Sequence, residues 1–151
     1  MKTQDFLLRD FKNLLHENKP LIGIDYGMKR IGIAVSDTRW VLASPLKIIH
    51  KINELDDIVS SRSATGFIIG MPYEPGGNEG KMAIQVRLFA NRLSEKYNLP
   101  IYFTDERHSS VEATEKLIND LKMTHKKAKE YIDSHAAALI LQNILDRMQK
   151  V

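Results

Sequence analysis

The hydrophobic positions near the start of the chain predict one helix followed by two strands. Residues 3–18 carry apolar side chains at the spacing of an amphipathic helix, and Pro20 ends that helix because proline disfavours helical angles in the residue before it. Two short apolar runs follow at 21–26 and 31–36. Because the gap between these runs is short, we expect an antiparallel hairpin. The apolar positions of the helix are Leu7, Phe11, Leu14 and Leu15.

The rest of the chain alternates predicted strands with predicted helices. The further strands are expected at residues 46–50, 65–72 and 101–104. The further helices are expected at residues 54–63, after a Gly/Pro-rich loop at 73–81, from a capping-box sequence at 109–112, and from about residue 133 to residue 150. The predicted buried stripe of the helix after the loop is Ile84, Leu88, Phe89 and Leu93. That of the last helix is Ala137, Ile140, Ile144 and Met148.

A hairpin followed by strands that alternate with helices predicts an α/β domain with a mixed central sheet flanked by helices. We expect residues 20–151 to form this domain and residues 1–19 to form an extra N-terminal helical extension, which either covers an apolar patch or mediates self-association. Sheets of this kind bind ligands at the carboxyl ends of their parallel strands.

Composition narrows the class of protein without identifying a function. The chain has 151 residues, of which 43% are hydrophobic and 27% charged, as in an ordinary globular protein. It has no cysteine, no apolar run long enough to span a membrane and no secretory signal near the start, so we expect a cytoplasmic protein. The net charge of +3 permits a polyanionic partner but does not require one.

Three acidic residues stand at the predicted ends of separate elements. Asp25 interrupts an apolar strand, Glu106 follows a later strand, and Asp133 opens the last helix on its sheet-facing side. Clustered carboxylates repel one another unless a cation neutralises them, and oxygen ligands suit Mg²⁺ or Mn²⁺. Structural roles are also open, since Asp133 could be a helix N-cap and Glu106 could pair with Arg107. Asp25 is the hardest to explain structurally, because a buried acid is costly without a partner.

Four ordered blocks resemble the YqgF/RuvX family. Residues 23–37 read GIDYGMKRIGIAVSD, which closely resembles the opening motif of that family. The other blocks are GMP at 70–72, DER with SVEA between 105 and 113, and DSHAAALILQ at 133–142. The resemblance covers about residues 20 to 148, which is nearly the whole chain.

The resemblance implies a ribonuclease H-like fold, related to the RuvC resolvases, and a metal-dependent nuclease that uses Mg²⁺ or Mn²⁺. It assigns catalysis and metal binding to Asp25, Glu106 and Asp133, with Asp105 as a less secure fourth acid. RuvC-type enzymes have a glutamate at the end of the fourth strand, where this chain has Gly70, so the acid of the Asp-Glu-Arg motif is expected to replace it. The implied substrate is the 5′ end of precursor 16S rRNA, with a four-way DNA junction as the alternative.

The nucleic-acid partner implies basic contacts. The candidates are Arg30, Arg107, Lys126, Lys127 and Lys129. A solvated turn would equally explain the first, and a solvated linker would explain the three lysines. His108 and His135 flank the acidic blocks and could assist proton transfer. A junction resolvase is expected to be a homodimer, whereas a single-strand ribonuclease can act as a monomer.

Two other classes of function stay open. A non-catalytic nucleic-acid-binding or regulatory module could keep the fold, although the three intact acids argue against it. An ATP-binding domain of the actin and sugar-kinase type also uses Asp-x-Gly after a first strand, but such proteins pair two domains and this chain is too short for both. Gly80 and Lys81 do not form a Walker A motif, because the chain has Pro75 and Met82 at the positions that need glycine and serine or threonine.

Overall fold

The computed structural model describes residues 7–106 and 109–151, with side chains in the second range from residue 113 onward, as a five-stranded sheet with helices on both faces. The strands are β1 (Leu21–Tyr26), β2 (Ile31–Ser36), β3 (Ala43–Ile49), β4 (Gly66–Met71) and β5 (Ile101–Asp105). The helices are α1 (Leu8–Leu14), α2 (Asp56–Arg62), α3 (Lys81–Tyr97), α4 (Ser109–Leu121) and α5 (His125–Met148), and a 3₁₀ turn, Ile52–Leu55, precedes α2. The predicted α/β class is confirmed.

The sheet is mixed, with strand order β3-β2-β1-β4-β5. β1 and β2 form the predicted antiparallel hairpin, and at its turn the Gly27 N–H donates to the Arg30 carbonyl oxygen at 2.9 Å. β1, β4 and β5 run parallel to one another. Their carboxyl ends, at Tyr26, Met71 and Asp105, therefore lie at one edge of the sheet, which we call the upper edge.

Side chains alternate between two apolar layers, one on each face of the sheet. Ile24 and Ile69 belong to the core beneath α2 and α3, whereas Leu21, Ile68 and Tyr102 belong to the core beneath α1 and α5. Successive strand residues point to opposite faces. The odd-numbered residues of β1 and the even-numbered residues of β4 and β5 therefore face α5.

Helix α5 lies unusually close to β1, and Gly23 makes this approach possible. A Cβ atom at residue 23 would lie 2.7 Å from the Cβ of Leu141 and 2.9 Å from the carbonyl oxygen of Ala137. Both distances are too short for real atoms, so only glycine fits without moving the helix. This contact fixes the height of α5 relative to β1.

The N-terminal helix belongs to the same core as α5. Phe11 is fully buried with its ring centroid 5.5 Å from that of Tyr102, and the Lys12 ammonium donates to the Met148 carbonyl oxygen at 2.8 Å. The helix is shorter than the predicted 3–18, and residues 1–6 lie outside the described part of the chain. The division into 1–19 and 20–151 stays a prediction, while α1 itself covers an apolar patch of the larger domain.

The predicted start of the last helix at Asp133 is wrong. Helix α5 begins at His125, and its N-cap is Thr124, whose side chain accepts a hydrogen bond from the Lys127 N–H at 3.2 Å. Ala128 and Ile132 are buried in residues 125–132, the part of α5 that was not predicted. The lysines around these two residues make the segment look polar in the sequence, so its apolar contacts were missed. Asp133 is therefore an interior residue of a helix and not an N-cap.

The predicted buried stripe of α3 is wrong at two positions. Ile84 and Leu88 are 51% and 53% exposed, whereas Phe89 and Leu93 are buried as expected. The sheet-facing stripe also includes small side chains, which let the helix lie close to β4. Its buried residues are Ala83, Val86, Phe89, Ala90 and Leu93.

No helix in the part of the chain that the structure describes is long and apolar enough to cross a membrane.

We expect Gly23→Ala to lower the free energy of unfolding by about 1–3 kcal/mol, because the added methyl group forces α5 away from β1. Urea denaturation of both proteins measures the difference. Gly76→Ala is the matched control, since a Cβ there meets nothing within 4 Å, and it should change stability little. Equal stabilities of the two variants would contradict the close contact at Gly23.

Candidate active site

Asp25 stands on β1 at the upper edge, on the face covered by α5. It follows Gly23 by two residues, so its side chain leaves the sheet on the same side. Opposite it on β2 is Gly32, which leaves the carboxylate without a bulky neighbour across the strand pair. Burial raises the pKa of the Asp25 carboxyl above its ordinary value, and the negative charge of Asp133 raises it further.

Asp133 reaches Asp25 because of the contact at Gly23. The carbonyl oxygen of Ala137 lies over Gly23, and Asp133 is one helical turn before Ala137. One turn along the helix and two residues along the strand cover similar distances, so Asp133 lies near enough to Asp25 above the upper edge for its charge to raise the pKa of Asp25. Asp133 itself is exposed, which leaves this side of the pair open to solvent.

Glu106 follows β5 and is positioned by β4. Its N–H donates to the Met71 carbonyl oxygen at 3.1 Å, which continues the strand pairing one residue beyond β5. A Cβ atom at residue 70 would lie 2.8 Å from the Cγ of Glu106 and 2.8 Å from the Cδ1 of Ile140. The Glu106 side chain thus occupies the space that a side chain on Gly70 would need.

Asp105 does not join the three acids. It continues the alternation of Ile101 and Phe103, whose side chains belong to the core under α3. Above the Phe103 ring lies the guanidinium of Arg87, at 4.8 Å from the ring centroid. Asp105 therefore points to the opposite face from Glu106 and does not line the cavity described next.

Asp25, Glu106 and Asp133 line one cavity of about 500 Å³ between α4, α5 and the upper edge. Two further polar residues line it that were not predicted as site residues, Lys116 on α4 and Asn143 on α5. Their helical spacing could have indicated them: Lys116 follows Ala113 by three residues, and Asn143 follows Asp133 through steps of three, four and three. The apolar lining residues are Ala113, Ile132, Ala136, Leu139 and Ile140.

The chemistry of the three acids suits a hard divalent cation. Carboxylate oxygens are the preferred ligands of Mg²⁺ and Mn²⁺, and a cation would offset both the burial and the repulsion from Asp133 that raise the pKa of Asp25. Within residues 7–106 and 109–151, however, no three acidic or imidazole side chains stand close enough together to form a complete metal site. The three acids share a cavity without being drawn into one compact cluster.

Four of the predicted basic contacts, Arg30, Lys126, Lys127 and Lys129, are not among the residues that line this cavity. Arg30 is exposed at the hairpin turn, two residues before Gly32, the strand partner of Asp25. Lys126, Lys127 and Lys129 are exposed on the first turns of α5, so they belong to a helix and not to the linker considered as an alternative. Lys126 and Lys129 precede Asp133 by seven and four residues, so helical spacing puts them on the same side of α5 as Asp133. Lys127 lies on a different side of the helix.

Two other residues named from the sequence lie outside the described part of the chain, Arg107 and His108. His135 stacks on Tyr131 with ring centroids 4.1 Å apart, and its Nδ1 lies 3.0 Å from the Tyr131 carbonyl oxygen. The ring is therefore occupied within its own helix, and it is not among the residues that line the cavity.

Comparison with known proteins relates this fold and site to a family. The chain matches the family model described as RuvX, Holliday junction resolvase, over residues 19–147. A relative from Phenylobacterium zucineum (strain HLK1), named "Putative pre-16S rRNA nuclease", is 39% identical over 151 residues and covers 95% of this chain and 97% of its own length. A relative of the same name from Oenococcus oeni is 40% identical over 136 residues, which cover 84% of this chain and 94% of the relative.

Among solved structures, T. thermophilus RuvC in complex with a Holliday junction substrate matches with a TM-score of 0.50 and 15% sequence identity. The match covers 86% of this chain and 96% of that protein. At this identity the likeness concerns the fold, and it confirms the expected ribonuclease H-like architecture.

We expect Asp25→Asn to raise the Tm at pH 7 in metal-free buffer. Because the folded state binds the Asp25 proton more tightly than the unfolded chain does, stability falls as the pH rises from the ordinary pKa of 3.8 through the raised one. The asparagine amide does not ionise and so avoids that loss. The Tm difference between Asp25→Asn and the parent protein should therefore shrink as the pH falls below 3.8. Thermal melts of both proteins across this pH range measure the effect.

Asp37→Asn is the control of opposite sign. Burial raises the pKa of Asp37 less than the backbone N–H groups of Leu42, Val41 and Arg39 together lower it, so the Asp37 carboxylate stabilises the fold above its ordinary pKa. This variant should melt lower at pH 7 and approach the parent protein in acid. An Asp25→Asn protein that also melts lower at pH 7 would contradict the raised pKa.

Proposed function

We propose a specific reaction for this chain, which belongs to the RuvX family. The reaction is metal-dependent hydrolysis of a phosphodiester bond near the 5′ end of precursor 16S rRNA. The family and its relatives make the protein a nuclease, a hydrolase that acts on phosphodiester bonds. The bond that is cut, the residues that cut it and the metal are the parts we propose.

The observation that carries the proposal is the shared cavity of Asp25, Glu106 and Asp133. Asp25 is held beside Asp133 in a partly buried position where its negative charge is costly, and that cost is offset when a cation is bound. When bound there, Mg²⁺ or Mn²⁺ would activate a water molecule and stabilise the leaving oxygen. We assign Asp25, Glu106 and Asp133 to catalysis and to holding the metal, and we leave Asp105 out because it faces α3.

The protein residues around the acids have separate tasks in this proposal. Gly70 and the Met71 carbonyl hold the Glu106 side chain over the end of β4. Arg30 at the hairpin turn and the lysines at the start of α5 bind phosphates of the substrate strand on either side of the cut. These lysines are Lys126 and Lys129, because Lys127 lies on a different side of α5 from Asp133. Arg107, next to Glu106 in the chain, is proposed for the same task.

The preference for ribosomal RNA rests on the relatives, whose names state that substrate. The family description states the other candidate, a Holliday junction. A four-way junction has two-fold symmetry, so its resolution requires a symmetric dimer, whereas a monomer can cut a single strand. A role in rRNA maturation would place the enzyme in the cytoplasm.

Cleavage assays distinguish these substrates. Labelled precursor 16S rRNA fragments, unrelated single-stranded RNA and four-way DNA junctions are incubated with Mg²⁺, Mn²⁺ or EDTA, and with Asp25→Asn protein purified identically. We expect metal-dependent cutting of the rRNA fragment and a loss of at least about 100-fold in the variant, since it removes a ligand and a charge at the reacting phosphate.

Preferential cutting of the junction would replace RNA maturation with junction resolution. Cutting that survives in Asp25→Asn would contradict the proposed site. Binding of nucleic acid without any cutting would favour a non-catalytic nucleic-acid-binding module.

We expect Gly70→Ala to reduce cleavage by about 10- to 100-fold while the protein stays folded, because the new methyl group displaces the Glu106 side chain. Gly32→Ala is the matched control: it also faces the site, but its Cβ would lie 3.6 Å from the Ala137 Cβ and 3.7 Å from the Asp25 Cβ, both ordinary contacts that displace neither side chain. The ratio of kcat/KM values for the two variants is the measurement. Similar activities would show that Glu106 does not depend on the space at Gly70.

A further inference from the structure

The cavity that contains the three acids extends well beyond them along α5. Asp133, Ala136, Ile140 and Asn143 follow one another at helical spacing on the same side of the helix. Ten residues separate the first from the last, which corresponds to a distance of about 15 Å. The acids thus lie at one end of a groove between α4 and α5, which we call the α4–α5 groove.

The α4–α5 groove is too large and too apolar to serve metal ions alone. Its volume of about 500 Å³ lies in the range of ~300–1,000 Å³ that is typical of sites for organic ligands. Away from the acids its walls are aliphatic, formed by Ala113 on α4 and by Ala136 and Leu139 on α5. A hydrated cation gains nothing from such walls, whereas a flat organic ring does.

Two polar side chains line the groove beyond the three acids. Among the described residues, neither Lys116 nor Asn143 makes a side-chain hydrogen bond or an ion pair. The Asn143 amide offers two donors and an acceptor, and the Lys116 ammonium offers donors only. An apolar slot with a few convergent polar groups is the usual form of a site for a heterocyclic ligand.

We propose that the α4–α5 groove binds one unpaired nucleobase of the substrate strand, next to the phosphate that is cut. The base lies against Ala136 and Leu139, the Asn143 amide hydrogen-bonds to its edge, and Lys116 supplies positive charge beside the nucleotide. This inference rests on the proposed function, because the acids at the end of the groove are what bring a nucleotide to it.

A nucleobase site in the groove selects for unpaired bases. A base in a duplex is paired and stacked, and it must leave both arrangements before it can enter a side pocket. A single-stranded RNA already presents such bases, and proteins recognise them by stacking and by hydrogen bonds to their edges. The groove therefore favours a single-stranded cutting site over the paired arms of a four-way junction.

The test measures binding without cleavage. Single-stranded RNA that spans the cut site is labelled with fluorescein, each nucleotide in turn is replaced by an abasic one, and fluorescence anisotropy gives Kd in EDTA. Loss of the apolar contact with the groove walls and of the hydrogen bond to the base edge should raise the Kd about 5- to 30-fold at one position. We expect that position to adjoin the cut and other positions to have smaller effects.

Two variants connect the effect to the groove. Ala136→Leu fills the slot with an aliphatic side chain and should make the Kd for intact RNA equal to that for the abasic RNA. Ser134→Leu adds the same side chain to α5 outside the groove, and it should keep the full difference. If Ala136→Leu fails to fold by circular dichroism, Asn143→Ala replaces it, and it should change which base is preferred at that position.

The outcomes separate the groove from the proposed reaction. Equal affinity of the parent protein for intact and abasic RNA at every position would overturn the nucleobase site, whatever the enzyme cuts. A difference that survives in Ala136→Leu while the protein stays folded would also overturn it. Base-dependent binding that Ala136→Leu abolishes supports the site even if no RNA is cleaved, and in that case the proposed reaction alone fails.

Discussion

The close approach of α5 to β1 at Gly23 is the constraint on which the site depends. A side chain there would collide with Leu141 and with the carbonyl of Ala137, so the glycine fixes both the distance and the register of the helix over the strand. Asp25 lies two residues after Gly23 on β1, and Asp133 lies one helical turn before Ala137 on α5. A helix displaced by about 1 Å would move Asp133 relative to Asp25, a misplacement large enough to impair the proposed chemistry. Packing and function are therefore coupled at one residue that touches no substrate.

A second glycine, Gly70, makes room for the third acid, Glu106. The space above Gly70 is occupied by the Glu106 side chain, so an acid that directly follows β5 lies over the end of β4. A glutamate at position 70, as RuvC-type enzymes have, and Glu106 as placed here would compete for one volume. The carboxylate reaches the cavity from a different strand, while the sheet edge it reaches is unchanged. The burial that raises the pKa of Asp25 shows that this edge tolerates negative charge only at a cost, which a bound cation would offset.

Much of the fold could be predicted from the sequence, because its strands are short apolar runs between clear breaks. The bounds of β1 and β2 were predicted as observed, and the mixed sheet was expected from the order of elements. The start of α5 was missed because lysines obscure the two buried positions of its first turns, Ala128 and Ile132. For the site, sequence indicated which acids to consider but could not choose between Asp105 and Glu106. That choice depends on how strand alternation continues past the end of β5. The presence of Lys116 and Asn143 in the cavity could not be predicted because it depends on how α4 and α5 pack together.

The most direct test of the account is a crystal structure of the protein soaked in Mn²⁺, with the ion located by anomalous scattering. We expect a peak at bonding distance, about 2.0–2.6 Å, from carboxylate oxygens of Asp25 and Asp133, with Glu106 as a further ligand. A peak bound by Asp105 on the α3 side, or an empty cavity at saturating Mn²⁺, would contradict the claim that these three acids form the metal site.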